Sequence, residues 1–228
     1  MSVGNHEKKG DKMKRLLVIM MLLLVAAPAS AALSAQQKKS KMPAKMALSS
    51  SSVELRMSMR KLWEEHITYT RNYIISSVAN LEDVNTATAR LLRNQDDIGN
   101  AIKPFYGVEA GNKLAALLKA HITIAAEVVK AAKIDNKEEL TKANQKWYAN
   151  ADEIAVFLSG ANPNWRKDDL KLMLYKHLEF TTEEVVARIK KDWAANIDAY
   201  DKGHTHILMF ADVLASGIVT QYPDKFMK

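Results

Sequence analysis

Three histidines recur at a nearly constant interval in this chain: His66 to His121 spans 55 residues and His121 to His177 spans 56. Each sits in a similar local sequence, LWEEHITYT, LLKAHITIA and MLYKHLEFT. Neutral imidazole ligates Zn, Cu, Fe or Ni, and it also carries one hydrogen-bond donor and one acceptor. A repeated histidine therefore admits two kinds of chemistry, metal coordination and core hydrogen bonding.

The neighbours of each histidine decide which way it faces. Leu55, Met59, Leu62, His66, Thr70 and Tyr73 follow helical three/four spacing, as do Leu114, Leu117, Leu118, His121, Ala125 and Val128, and Leu170, Met173, Leu174, His177, Thr181 and Glu184. Such spacing places all three imidazoles on apolar, inward faces. Downstream segments carry Asn94, Asn150 and His204 on similar stripes, with Asp97 and Glu153 three residues after each asparagine. A second register aligns Asp96-Asp97-Ile98, Asp152-Glu153-Ile154 and Asp212-Val213-Leu214 and remains open. His204 and His206 are too close to share one face, and the stripe Trp193, Ile197, Tyr200, His204, Leu208 selects His204.

Counting outward from each turn brings His66 opposite Asn94 and Asp97, His121 opposite Asn150 and Glu153, and His177 opposite His204. The candidate ligand set is thus His66, His121, His177, His204, Asn94, Asp97, Asn150 and Glu153. It would hold a transition metal or a small polar ligand, because helical bundles build such sites from inward His and carboxylate side chains. The competing expectation is that the same groups hydrogen-bond one another and fix the register between helices. The di-iron pattern Glu-x-x-His is missing: Trp63, Leu118 and Leu174 stand three residues before the histidines.

The elements that must position these residues are helices throughout. Apolar residues recur at three and four positions, and no stretch alternates with period two. Breakers at Ala79-Asn80-Leu81, Lys103-Pro104-Phe105-Tyr106-Gly107, Ile134-Asp135-Asn136, Gly160-Ala161-Asn162-Pro163-Asn164 and Lys191-Asp192 divide the domain into six segments. The 55-residue period groups them as three related helical hairpins, so the expected fold is an all-α antiparallel bundle of about six helices.

The ends of the chain suggest its compartment. Lys8, Lys9, Lys12, Lys14 and Arg15 precede a 12-residue apolar run, Leu16 to Ala27, followed by Ala29 and Ala31. That order reads as a secretory signal over residues 1–31, and the run is too short to span a bilayer. Removing it lowers the formal charge from +7 to +4. Residues 32–52, with four Lys, no acid and a serine run, read as a flexible linker, and residues 53–228 as one bundle domain. The expected location is secreted or extracytoplasmic, with membrane contact only through the signal and tether if they stay attached.

With no cysteine there is neither a disulfide nor a thiolate nucleophile. No Gly-rich phosphate loop, nucleotide-binding βαβ unit or Gly-x-Ser-x-Gly turn occurs, which disfavours transferase and kinase chemistry. The mild charge of the domain disfavours nucleic acid. The expected partner is a small ligand or an envelope component, and the expected role is non-catalytic binding; the alternative is a structural or interaction module of the cell envelope.

The strings LWEEHITYTRNYIIS, NQDDIGNAIKPFYG, NKLAALLKAHI and KWYANADEIAVFLSGANPNW, with the run from Asp192 to Asp201, resemble a family of uncharacterised exported proteins from Gram-positive spore-forming bacteria. The resemblance extends from about Met57 to Phe226. Some members carry a glycosyltransferase label, but this chain has neither a nucleotide-sugar fold pattern nor an Asp-x-Asp motif in a strand-to-loop setting. The resemblance implies export and assigns no catalytic residue.

Overall fold

The computed structural model describes residues 49–227; the expected signal and nearly all of the expected linker lie outside them. Five α-helices follow in order: α1 Ser50–Ala79, α2 Val84–Lys133, α3 Lys137–Ala161, α4 Lys167–Lys190 and α5 Trp193–Gln221, with a closing 3-10 turn at Pro223–Phe226. No strand occurs among the described residues, so the domain is all-α. None of the helices is long and apolar enough to cross a membrane.

The serine run proves to start the bundle. Ser49 caps α1 by accepting from the Ser52 N–H at 3.2 Å, and Ser52 is itself buried. Residues 50–52, assigned to the linker from composition, are therefore the first turn of α1. A serine hydroxyl satisfies one of the otherwise unpaired amides of a helix start, which composition alone does not register.

The expected break at Lys103–Gly107 takes a different form. α2 continues through Pro104 but reverses at Gly107, whose φ of 84° and ψ of 170° are non-helical. A positive φ is open to glycine without the Cβ clash that penalises other residues. Beyond it the limbs lie against each other. A Cβ on Gly99 would stand 2.5 Å from the Gly111 carbonyl oxygen, and Lys119 pairs with Asp96 at 2.6 Å.

Three other turns share one construction. Asn80, Asp135 and Lys191 adopt the left-handed conformation, each 14 residues after a repeated histidine. In each, the next residue donates back to a carbonyl inside the finished helix: Leu81 to Ser76, Asn136 to Ala131 and Asp192 to Ala187, at 2.9 to 3.0 Å. Asn136 and Asp192 also cap the following helices through Glu139 N and Ala195 N.

Each helix packs on its chain neighbours, and α5 returns to lie against α1, closing a ring. The shared core includes Met59, Trp63 and Ile67 from α1, Ile98 and Leu118 from α2, Trp147 and Ile154 from α3, Leu174 and Leu178 from α4, and Ile207 and Phe210 from α5. Each large apolar side chain so buried contributes about 1.5–3 kcal/mol. The histidines lie inside this packing.

Candidate ligand-binding site

α1 supplies His66, α2 supplies His121 beyond its reversal, and α4 supplies His177; all three are at most 4 % exposed. His177 stands between the others, its ring centroid 5.5 Å from that of His66 and 6.1 Å from that of His121. Burial, reinforced by the neighbouring His121, pushes His66 down to about 3, against the pull of Gln95. Burial takes His121 down to about 4, and it lowers His177 well below the usual histidine range with help from His66, His121 and His206. The cause is the unfavourable placement of an imidazolium in a dry core. The layer is neutral at ordinary pH.

Its hydrogen bonding is complete at one end and incomplete at the other. His121 Nδ1 lies 2.8 Å from Asn150 Oδ1, and its Nε2 accepts from the Trp147 indole N–H at 3.1 Å. The indole can only donate, so the His121 proton sits on Nδ1 and both ring nitrogens are engaged. Gln95 Nε2 stands 3.3 Å from His66 Nδ1 while donating to Leu91 O at 2.8 Å and Asn94 Oδ1 at 3.1 Å. His177 Nδ1, Gln95 Oε1 and Trp63 Nε1 are buried without a partner. All three belong to residues adjoining His66, since the Trp63 ring lies 5.4 Å from it. Each unpaired buried group costs about 1–3 kcal/mol.

A second contact recurs around each histidine. The carbonyl four residues before it accepts a side-chain bond from a facing segment: Leu62 from Asn94 at 3.0 Å, Leu117 from Asn150 at 3.2 Å, and Met173 from His206 at 2.8 Å. A carbonyl has two lone pairs, so it can take this bond in addition to its helical one.

Of the eight candidates, His66, His121, His177, Asn94 and Asn150 are brought together in the core. His204, Asp97 and Glu153 are not. His204 keeps 30 % of its side chain exposed, with Nε2 3.2 Å from Glu64 Oε1, and His206 is the inward residue. The buried face of α5 is Asn196, Ala199, Gly203, His206, Ile207 and Phe210, while Trp193 and Ile197 are 52 % and 53 % exposed. Ile207, Phe210, Leu214 and Ile218 carry that face into the core, and Gly203 packs on it beside Phe180 and Ile67.

Asp97 is half-buried and Glu153 is exposed. The acids of the alternative register also face outward, Asp96 to Lys119, Asp152 to Lys171 and Asp212 to Arg60. Leaving a carboxylate wet avoids its desolvation penalty.

Sequence spacing did not reveal Gln95, His206 or the buried cluster of Arg71, Glu184 and Asn196. Arg71 Nη1 meets Glu184 Oε1 at 2.6 Å, and its Nη2 donates to Asn196 Oδ1 at 3.1 Å. Its guanidinium also stacks on Tyr200 at 4.5 Å. Burial raises Glu184 to about 7, against the opposing pull of Arg71 and Arg188. The available signal was the presence of Glu184 on the apolar stripe of α4.

Among the described residues, no three His, Cys, Asp or Glu side chains stand in metal-ligand geometry. The layer offers neutral imidazole nitrogens and amide groups. No protein family, curated protein or solved structure matches the chain.

Proposed function

We propose that this is an exported, non-catalytic binding protein that holds a transition metal or a small polar ligand in the layer around His66 and His177. The observation that carries the reading is the unpaired set of His177 Nδ1, Gln95 Oε1 and Trp63 Nε1 within one dry layer. A polar ligand that accepts from the indole and pairs with His177 Nδ1 would relieve that deficit, whereas a metal ion would take only imidazole nitrogens and leave the indole to a water bound on the metal. Zinc about 2.0 Å from each of two imidazole nitrogens in tetrahedral geometry spaces the rings about 5 Å apart. The His66–His177 separation of 5.5 Å is close to this. His121 supports the pair without ligating, because both its nitrogens are engaged. The leader-like residues 1–31 and the family resemblance support export.

We read the bundle as three related hairpins, with α2 contributing a limb to each of two. The equal offset from histidine to left-handed turn residue and the recurring bond to the carbonyl four residues earlier support this descent.

The structural alternative, an envelope module with register-locking histidines, is favoured by the complete pairing of His121. Metal analysis of protein purified without a His tag, with thermal melts in added Zn, Cu, Ni and Fe, separates the two. The binding reading expects stoichiometric metal or a rise in melting temperature that His177→Gln abolishes, because a ligand that binds only the native state stabilises it. If metals leave the melt unshifted, a small polar ligand must co-purify and be lost from His177→Gln. Absence of both leaves the register lock.

A further inference from the structure

We propose that the cleft between the end of α1 and the start of α2 binds an amphiphilic anion, a carboxylate or phosphate head on a short apolar body. The cleft is an open groove of about 750 Å³ lined by Tyr69, Ile75, Leu81, Ala87, Arg90 and Arg93, among others. Its volume falls in the range usual for small-molecule sites, about 300–1,000 Å³. Leu81 is an apolar side chain left 45 % exposed at the turn, and with Ile75 and Ala87 it offers a wall for an alkyl or aryl body.

The charge of the wall favours an anion. Arg90 and Arg93 are three residues apart and so share one face of α2. Arg90 is held in place: Nη2 donates to Glu65 Oε2 at 2.9 Å, and the guanidinium stacks 4.2 Å over the Tyr69 ring. Its Nη1 is buried without a partner, so a ligand would reach it only with a small shift of the side chain. Glu65 also takes Lys61 at 3.3 Å, so one carboxylate is divided between two cations. Arg93 is exposed and enters no ion pair among the described residues. Asp83 is the one acid on the wall. An oxyanion is the group that a guanidinium fork binds through paired, charge-assisted hydrogen bonds. The site shares no residue with the histidine layer and stands or falls separately from it.

Calorimetric titration of the protein with octyl phosphate, octanoate, inorganic phosphate and octanol tests the proposal. The expected result is saturable one-to-one binding of octyl phosphate, octanoate or both, with a dissociation constant below about 1 mM. Whichever head binds more tightly identifies the anion. Inorganic phosphate and octanol should each bind at least roughly tenfold more weakly, since each lacks one half of the recognition. Arg93→Ala, which removes an exposed side chain without disturbing the core, should weaken binding roughly tenfold. Three results would overturn the proposal: octanol matching octanoate, inorganic phosphate matching octyl phosphate, or Arg93→Ala binding as the parent does.

Discussion

Glu184 is 2 % exposed and forms one ion pair, with Arg71, so its protonation is tied to folding. Its folded value is raised from 4.5 to about 7. A raised acid contributes stability that is fully present below the unfolded value and is lost as pH climbs through the folded one. Over that window the loss is about 3 kcal/mol. Arg71→Gln removes the one close countercharge, and the expected destabilisation is about 3–5 kcal/mol at pH 8. At pH 5 the loss should be clearly smaller, because Glu184 can then be buried neutral. Urea midpoints at the two pH values check this, and equal losses would mean that the carboxylate is not the origin. At this scale the sequence was partly legible. His66, His121 and His177 were found because inward spacing repeats around each, whereas His206 was missed because helical phase alone cannot separate it from His204. The packing of Ile207, Phe210 and Leu214 into the core fixes the face that carries His206.

The turns show the same division between pattern and packing at the scale of elements. Every break expected from Asn, Gly and Pro punctuation is a real departure from regular helix, but the punctuation did not distinguish the end of a helix from the reversal inside α2. That distinction rests on one glycine conformation and on the close approach of Gly99 to Gly111. The serine run was misassigned because a capping hydroxyl and a linker have the same composition. The left-handed turn residues are Asn80, Asp135 and Lys191, and only the last has a side chain with no local means of favouring that conformation. Lys191 is exposed, and its side chain enters no hydrogen bond or ion pair among the described residues. Lys191→Gly should therefore stabilise the protein by about 0.5–1 kcal/mol. A thermal melt that falls instead would show that the lysine side chain contributes more than its strained backbone costs.

For the whole molecule, three neutral buried imidazoles make the fold sensitive to acid. Their folded values lie below the unfolded 6.5, so the stability they allow is fully present above that pH and is lost as pH falls toward 4. Three protons taken up only on unfolding give a slope of about 4 kcal/mol per pH unit, opposed by about 1.4 from Glu184. Chelator-treated protein should thus lose urea resistance steeply between about pH 6 and 5; a flat midpoint across that interval would show that the imidazoles are protonated in the native state. The ring of helices adds something further. Four of its five interfaces are tied at one end by a short turn, but the α1–α5 seam has none and is bridged by Arg60–Asp212, Arg56–Ser216 and the edge-on rings of Trp63 and Phe210, 4.9 Å apart. Local opening there strains no connection, and Trp63 lies directly beside His66. Opening of the seam would uncover Trp63 and the His66 beside it, and hydrogen exchange of the α1 and α5 amides is the measurement that would follow it.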